Sequence, residues 1–312
     1  MKLLRSLKKN KIIQMILSYV RIIYFFPYLY YVSKEKFEVS SPLETVKKIS
    51  SKKNSVTRFG DGEFNIIFRS KGTGFQAYNE QLSNDLKKVL KEDNDRFVQV
   101  AIPHGYNSTK IDRFRVKTFW WSYVVRKHRD IQQFQSWTAH KKYLDASFTR
   151  VITELDDRKE IHLVIDGIKK IWQNKNVLIV EGSGTRFGSG NDLLKNARSV
   201  SRIIAPAANA YDRIEEIRAS IDEFISLQDD LENVVILIAL GPTATVLAND
   251  YSVKVQSIDI GHFDLQYEYL QKGSYDRVEI KDRYDNEMSG GAGYSSNTDS
   301  KYKNEIFSVI NY

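Results

Sequence analysis

The sequence predicts an α/β protein built on a parallel sheet that is flanked by helices. Between residues 176 and 260, apolar runs alternate with helical patterns, and a strand, loop and helix that repeat in this way are typical of a parallel sheet. The strongest run, Val234–Leu240, contains no polar residue, as expected for a strand buried on both faces. The 312 residues suffice for one large domain or two small ones.

The individual elements follow from the same local patterns. Apolar or alternating runs predict these strands: Ser55–Phe59, Phe97–Ile102, Val177–Val180, Arg202–Ala205, Val234–Leu240 and Val255–Ile260. Apolar residues at helical spacing predict these helices: Phe64–Arg69, Glu80–Lys91, Asp112–Arg129, Asp192–Val200, Thr243–Asn249 and one that begins at a capping box of Asp212 and Glu215. The stretch Ile161–Ile165 fits a strand or the start of a helix.

Composition excludes several classes of protein. The chain has no cysteine, which excludes a disulfide scaffold, a zinc finger, an iron–sulfur cluster and a thiol nucleophile. Its formal charge of +8 is typical of a nucleic-acid binder, but the excess lies in one segment. Residues 1–53 hold twelve Lys and Arg against three acids, whereas the remainder holds 35 basic and 36 acidic residues. We therefore expect no nucleic-acid partner, because an evenly charged body does not track a phosphate backbone.

Residues 1–50 are basic and aromatic, and we interpret them as a segment that lies on an anionic membrane surface. Gln14, Arg21 and Pro27 interrupt the apolar stretch, so a bilayer-spanning helix is a poor fit, and no signal-peptide cleavage site follows. Lysine and arginine are attracted to acidic lipid, and tyrosines sit at headgroup level. The tyrosines in question are Tyr24, Tyr28, Tyr30 and Tyr31. The alternative is a helix packed on the body or on a sister subunit.

This organisation predicts three parts and a location. A globular domain is expected at residues 51–282, followed by a Gly/Ser-rich mobile loop and a short apolar tail at 283–312. With the leading segment on a bilayer, we expect a cytoplasmic protein at the inner face of the cell membrane.

Ligands of an open parallel sheet bind beyond the carboxyl ends of its strands, so the loops at those ends are informative. Asp61 and Glu63 are two carboxylates one residue apart between glycines. Such a pair suits Mg²⁺ or Mn²⁺, which takes oxygen ligands and leaves positions for phosphate. Arg58, just before them, suits a diphosphate. The alternative is a solvated turn whose acids cap the next helix.

A second loop, residues 181–188, has three glycines. Their spacing is one residue longer than a dinucleotide fingerprint, and no acid ends the next strand, so a nicotinamide dehydrogenase is weakly supported. The N–H groups of such a loop suit a phosphate, and Arg186 adds charge. Glu181, at the strand end, is a candidate general base or sugar-hydroxyl acceptor. Asn191 caps the next predicted helix or contacts ligand.

Two further loops carry candidates of the same kind. Gly241-Pro242-Thr243 opens a predicted helix whose N-terminal dipole favours an anion, although a plain turn needs no function. His262 lies between Asp259 and Asp264, so a carboxylate can orient its ring or raise its pKa. A structural histidine is the alternative.

Read in order, these motifs resemble bacterial glycosyltransferases of the GT-D fold over about residues 54–275. The motifs are Arg58-Phe59-Gly60-Asp61-Gly62-Glu63; Glu181-Gly182 with Arg186, Gly188, Asn191 and Asp192; Pro206, Asn209 and Ala210; Leu240-Gly241-Pro242-Thr243-Ala244; and Asp259-Ile260-Gly261-His262. The resemblance implies a Rossmann-like sheet and transfer of a sugar from a nucleotide-diphosphate donor, expected to be UDP-linked. The acceptor would be a glycan or a glycosylated molecule in surface polysaccharide or glycoprotein assembly.

The resemblance also implies roles for single residues. Asp61 and Glu63 would face a Mn²⁺ or Mg²⁺ ion. From the loops themselves, and not from the resemblance, we expect the donor to be bound by Arg58, Gly60, Gly184, Arg186, Asn191, Asn209 and Thr243. An acceptor hydroxyl needs a group that takes its proton, and the candidates among the residues themselves are Glu181, His262 and Asp259, with Asp264 beside them. The alternative is a membrane-associated module that binds a nucleotide sugar without turning it over.

Overall fold

The computed structural model describes residues 11–92, 96–138, 142–285 and 299–311. Within these residues, nine strands form one sheet in the order β1-β4-β3-β2-β8-β7-β5-β6-β9, and every paired strand runs parallel to its neighbour. The strands are β1 Glu38–Val39, β2 Ser55–Arg58, β3 Val98–Ile102, β4 Lys142–Asp145, β5 Asn176–Gly182, β6 Ser199–Ala205, β7 Val234–Ala239, β8 Gln256–Asp259 and β9 Ile306–Val309. The predicted α/β class with a parallel sheet flanked by helices is confirmed.

Twelve α-helices connect and flank these strands in the described parts of the chain. They are α1 Lys11–Val20, α2 Phe25–Glu35, α3 Pro42–Lys52, α4 Asp61–Arg69, α5 Glu80–Lys91, α6 Phe114–Trp137, α7 Val151–Glu154, α8 Arg158–Ile171, α9 Ile214–Ser226, α10 Pro242–Tyr251, α11 Phe263–Gln271 and α12 Ser300–Asn304. The ambiguous stretch Ile161–Ile165 therefore belongs to a helix, α8.

The sheet separates two hydrophobic cores, because successive residues of a strand point to opposite faces. On β5, Leu178 and Val180 join the core that includes α5, α6, α9 and α10. Val177 and Ile179 join the other core, which includes α3, α8 and α11. The central strands are therefore apolar throughout, as the uninterrupted run of β7 predicts.

Two predicted helix features are wrong. Residues 192–197 form turns and not a helix, and β6 already begins at Ser199. The groups of these turns bond to the end of α8: the indole N–H of Trp172 donates to the Leu193 carbonyl, and the Asn196 amide donates to that of Lys169. The capping box is also absent, because Asp212 lies inside a 3₁₀ turn and α9 starts only at Ile214.

The predicted boundaries at residues 50 and 283 do not coincide with breaks in the fold. At the first end, β1 pairs with β4, and α3 buries Val46 and Ile49 in a core. At the other end, β9 pairs with β6, and Tyr302 is buried. The predicted Gly/Ser-rich loop falls mostly on residues 286–298, which lie outside the described residues.

The leading segment is helical from Lys11 to Glu35 and packs along α6 with one face. Tyr28 is 2% exposed and its hydroxyl donates to the Gly105 carbonyl, so the prediction that it lies at headgroup level is wrong. Tyr31 stacks on His128, with ring centroids 4.5 Å apart. Packing on the body, the alternative interpretation, is thus observed for this face, whereas the opposite face is exposed.

Candidate active site

A cavity of about 430 Å³ opens beyond the carboxyl ends of five neighbouring strands, β4, β3, β2, β8 and β7. This is the edge at which parallel sheets bind ligands. The loops after these strands supply most of its wall, with α6 closing one side. Five predicted site residues line it: Arg58, Gly60, Asp61, Glu63 and His262.

Arg58, the last residue of β2, is fixed from two sides. Its Nε and Nη2 donate to Oδ1 of Asp259 at 3.1 and 3.0 Å, and its Nη1 donates to Oγ1 of Thr149 at 2.6 Å. Asp259 is buried and also accepts from Thr245 and from the Gly261 N–H. Burial raises the pKa of Asp259, and the guanidinium opposes that shift. Asp259 therefore positions Arg58 at the cavity wall and has no position of its own in the lining.

Glu63 caps helix α4 in the same way as Glu44 caps α3. Each carboxylate accepts the backbone N–H three residues earlier, that of Gly60 at 2.7 Å and that of Ser41 at 2.9 Å. The bonds to Ser41 lower the pKa of Glu44. By contrast, burial and the Asp259 carboxylate raise the pKa of Glu63 to about 7. The predicted capping role is thus present, in a place where negative charge is crowded.

A divalent cation fits this crowded position. Asp61 is exposed at the start of α4, and Glu63 lines the cavity two residues later. A dication beside them would oppose both the burial and the repulsion by Asp259 that raise the pKa of Glu63. The described residues contain no group of three His, Asp or Glu side chains that could hold a metal, so the protein would supply two carboxylates. Mg²⁺ is typically bound in this way, with water and substrate phosphate completing its shell.

His262 lines the cavity just after β8, and the acids near it in sequence, Asp259 and Asp264, each hold an arginine. The hydrogen bonds of Asp259 go to Arg58, Thr245 and Gly261, and Asp264 binds Arg283. The His262 ring also lies edge to face with Phe75, with centroids 6.4 Å apart. The histidine therefore has access to a ligand in the cavity.

The sequence reasoning missed a cluster on the opposite wall. Arg150 and Glu154, one turn apart at α7, form an ion pair of 2.7 Å, and both line the cavity with Ser147. The second carboxylate oxygen of Glu154 is buried and has no hydrogen-bond partner in the described structure. In the sequence, only the opposite charges of Arg150 and Glu154 at helical spacing indicate this cluster. The preceding strand, β4, has four residues, too few for its pattern to be recognised.

Behind this wall lies a buried histidine held by two acids. His104 contacts Asp145 through Nδ1 at 2.9 Å and Asp112 through Nε2 at 2.8 Å. Burial alone lowers the pKa of His104, but the two carboxylates outweigh it and raise the pKa well above its usual value. Asp145 also accepts the Ser147 N–H at 2.9 Å. The cluster thus fixes the loop after β4, whose Thr149 holds Arg58.

Glu181, a predicted catalytic residue, does not reach the cavity. It is fully buried at the end of β5, where Arg202 and the Tyr302 hydroxyl donate to Oε1 at 2.8 and 3.0 Å. The Phe187 N–H donates to Oε2 at 2.6 Å. Each carboxylate oxygen is thus engaged, and the contacts give Glu181 a structural role that ties the glycine loop to β6 and to α12.

The predicted donor-binding residues of the glycine loop, Gly184 and Arg186, do not line the cavity, although Gly182 and Thr185 line a small hollow that adjoins it at Phe75, Gly241 and His262. Gly184 accepts the Tyr284 N–H, and Arg283 donates to the carbonyls of Thr185 and Arg186. Asn191 contacts Glu268 and lines a separate hollow beside β6. The loop is held by the chain that follows α11, and the structure does not bring its predicted phosphate-binding residues to Asp61 and Glu63.

The last two predicted donor-binding residues are close to the cavity without lining it. Asn209 has a left-handed backbone (φ 50°) and accepts the Ala77 N–H, while its own N–H donates to the Phe75 carbonyl. It thereby positions the loop that carries Phe75 into the cavity wall. Thr243 is fully buried just inside α10, behind Gly241 and Pro242 at the cavity surface.

The family model for the glycosyltransferase GT-D fold matches residues 56–288 of this chain. The chain belongs to the GT-D glycosyltransferases. The fold agrees: a structure described as domain of unknown function 1792 with a distinct glycosyltransferase fold superposes with a TM-score of 0.82 at 26% identity, over 91% of this chain and 100% of that one. A glycosyltransferase of the same domain type from Streptococcus sanguinis gives 0.79 at 27% identity, covering 88% and 100%. The resemblance stated from the motifs is confirmed.

Two curated relatives of this GT-D protein are longer proteins. A probable glycosyl transferase Gly from Streptococcus gordonii is 29% identical over 88% of this chain and 39% of its own length. Glycosyltransferase GlyD from Streptococcus pneumoniae serotype 4 is 28% identical over 86% of this chain and 32% of its own. The chain thus spans roughly a third to two fifths of the relatives it matches.

Proposed function

We propose that this glycosyltransferase is metal-dependent and moves a sugar from a nucleotide-diphosphate donor, UDP-linked by preference, to a glycan or glycosylated acceptor. The observation that carries the proposal is that Arg58, Asp61 and Glu63 line the same cavity at the carboxyl ends of parallel strands. Two adjacent carboxylates beside a fixed guanidinium suit a diphosphate that arrives with a divalent cation. The product would enter surface polysaccharide or glycoprotein assembly.

In this reaction the acceptor oxygen attacks the anomeric carbon, and the bond from that carbon to the diphosphate oxygen breaks with its electron pair on the diphosphate. Mn²⁺ or Mg²⁺, when bound, would stabilise that negative charge. Asp61 and Glu63 are the residues that would hold the ion. Arg58, kept rigid by Asp259 and Thr149, presents its guanidinium to the departing phosphate.

The acceptor hydroxyl loses a proton as it attacks, and a group in the cavity must take it. Of the predicted candidates, Glu181 and Asp264 do not line the cavity and each binds an arginine, and Asp259 is committed to Arg58. His262 remains, and Glu154 joins it because one of its carboxylate oxygens has no partner in the described structure. We assign the proton to one of these two residues.

We also place the protein at the inner face of the cell membrane, through the basic and aromatic residues at its start. The described helices support membrane association, because the segment Met15–Glu35 is mostly exposed and, by length and composition alone, apolar enough to cross a bilayer, contrary to the expectation from sequence.

A donor screen tests the proposal. Nucleotide sugars are incubated with the full chain, and released nucleoside diphosphate is measured with Mn²⁺ and with chelator. We expect one donor to be turned over, at least 100-fold faster with the ion. Full turnover in chelator would refute metal dependence. Tight donor binding without release of diphosphate would instead favour the second candidate, a membrane-associated module that only binds a nucleotide sugar.

A further inference from the structure

The helices at the start of the chain expose an unusually apolar face. Among the described residues, nine large hydrophobic side chains between positions 15 and 30 are more than 40% exposed, with Phe26 at 77% and Ile23 at 69%. They recur at helical spacing and so form one continuous stripe. Contiguous apolar patches of this kind are rare on soluble monomers and indicate a surface that contacts a partner or a membrane.

The opposite face fixes this stripe parallel to the surface of the protein. Phe25 packs on Trp121 with centroids 4.8 Å apart, and Tyr28 is buried and bonded to the Gly105 carbonyl. Because one face is held along the body in this way, the segment is placed to lie in the plane of a bilayer, as interfacial helices do.

The positive charge of the leading segment favours an anionic bilayer over a second copy of the chain as the partner of the stripe. Residues 1–36 contain eight Lys and Arg and a single acid, Glu35. A second copy of this chain would bring two strongly positive segments together, which costs electrostatic energy. An anionic bilayer offers negative headgroups to the same charges, worth about 1 kcal/mol for each lysine or arginine near the surface.

The stripe lies beside the active-site cavity. Helix α6, on which the leading helices pack, is also a cavity wall through Phe119 and Trp120. Arg21 lies over the Phe119 ring, 6.0 Å from its centroid, and its neighbours Ile22 and Ile23 belong to the exposed stripe. Phe119 therefore both lines the cavity and contacts the helical segment that carries the stripe.

We propose that the stripe docks the chain on an anionic bilayer and holds the cavity at headgroup level, so that the acceptor is a glycan carried by a membrane lipid. The acceptor class rests on the proposed transferase function, whereas the docking does not. An acceptor anchored in the same bilayer diffuses in two dimensions past the cavity, which raises its effective concentration.

The docking test uses the absence of cysteine from the chain. Single variants Ile23→Cys and Val253→Cys each carry an environment-sensitive fluorophore. Val253 is 65% exposed and lies in the turn between α10 and β8. With vesicles containing phosphatidylglycerol, the emission spectrum of the label at position 23 should shift to that of an apolar environment. The emission of the label at position 253 should not change. Vesicles of pure phosphatidylcholine should have at least tenfold less effect.

A matched pair of double variants tests the function of the stripe. Ile23→Asp with Phe26→Asp should weaken vesicle binding at least tenfold, whereas Leu227→Asp with Val253→Asp, at two similarly exposed positions, should not. Equal binding by both would overturn the docking proposal. The docking proposal would also be overturned if the chain elutes as a dimer and the label at position 23 reports an apolar environment without lipid. A second copy of the chain would then be the occupant of the stripe.

The acceptor class is tested with labelled donor and washed bacterial membranes. We expect label in the membrane lipid fraction for wild type and for the Leu227→Asp, Val253→Asp control, and at least tenfold less for Ile23→Asp, Phe26→Asp. Diphosphate release without labelled lipid, or label in soluble protein alone, would overturn the acceptor proposal. If no variant releases diphosphate, the transferase function is refuted. The docking proposal is then decided by the vesicle experiment alone.

Discussion

Gly261 combines a left-handed backbone with a very close neighbour. Its φ is +51°, and a Cβ at this position would lie 2.1 Å from Nη2 of Arg58. Neither feature is recognisable in the sequence motif Asp259-Ile260-Gly261-His262, which predicts a ligand loop without saying why glycine stands there. The structure gives the reason: the arginine occupies the space of the missing side chain.

Gly261→Ala should therefore reduce diphosphate release at least tenfold, because the new methyl group displaces the Arg58 guanidinium. Gly273→Ala is the matched control, since Gly273 also has a positive φ (+69°) and nothing lies within 4 Å of its Cβ position. Both variants carry the backbone strain of about 1 kcal/mol. Comparable turnover in the two variants would show that Arg58 is not needed where the structure places it.

At the same scale, sequence reasoning succeeded for residues whose position depends on local structure alone. Arg58, Asp61, Glu63 and His262 follow directly on strand ends, and the carboxyl ends of parallel strands meet at one edge. It failed for Glu181, whose partners Arg202 and Tyr302 are 21 and 121 residues away. No local pattern reports such a long-range pair.

Among the elements, the loop after β4 connects a buried histidine to the active site. His104 is held by Asp145 and Asp112, and Asp145 orders the loop that holds Arg58. The sequence does not predict the elements of this region, because β4 and α7 have four residues each. Such short elements do not show the periodicity of a strand or a helix.

His104→Gln should lower the free energy of unfolding by about 3 kcal/mol near neutral pH, because two buried carboxylates lose their cationic partner. The pKa of His104 is raised on folding, so its stabilising contribution is complete below about pH 6.5 and declines as the pH rises through the folded pKa. Burial raises the pKa of Asp112 to about 6, so that acid has titrated before this range begins.

The measurement is urea unfolding of both proteins between about pH 7 and about pH 9. The stability advantage of wild type over His104→Gln should shrink as the pH increases. An advantage that stays constant over this range would mean that His104 is neutral in the folded protein, and the charge assignment of the cluster would fail.

For the whole molecule, the two ends of the chain complete a single fold. The leading residues supply β1, α3 and the apolar stripe, and the final residues supply β9 and Tyr302. The composition of these ends differs from that of the body, and this difference predicts separate segments. Strand pairing across the molecule, β1 with β4 and β9 with β6, overrides that division.

Glu181→Gln should destabilise the protein by about 3 kcal/mol, because Arg202 loses a buried carboxylate in the core. Glu305→Gln is the control, since Glu305 pairs with the same arginine at 2.7 Å but is partly exposed, and its loss should be smaller. Thermal unfolding and diphosphate release per folded molecule are measured together. A large loss of turnover at unchanged stability in Glu181→Gln would restore the catalytic role that the sequence predicts.

The central claim, that acids at the start of α4 recruit a dication for a diphosphate, is tested most directly by calorimetry of uridine diphosphate binding with and without Mn²⁺. The variants are Glu63→Gln and Glu44→Gln, which change the same capping residue in two helices, only one of them at the cavity. We predict Mn²⁺-dependent binding for wild type and Glu44→Gln, and at least tenfold weaker binding for Glu63→Gln. Equal affinity in all three proteins, or in chelator, would contradict the account.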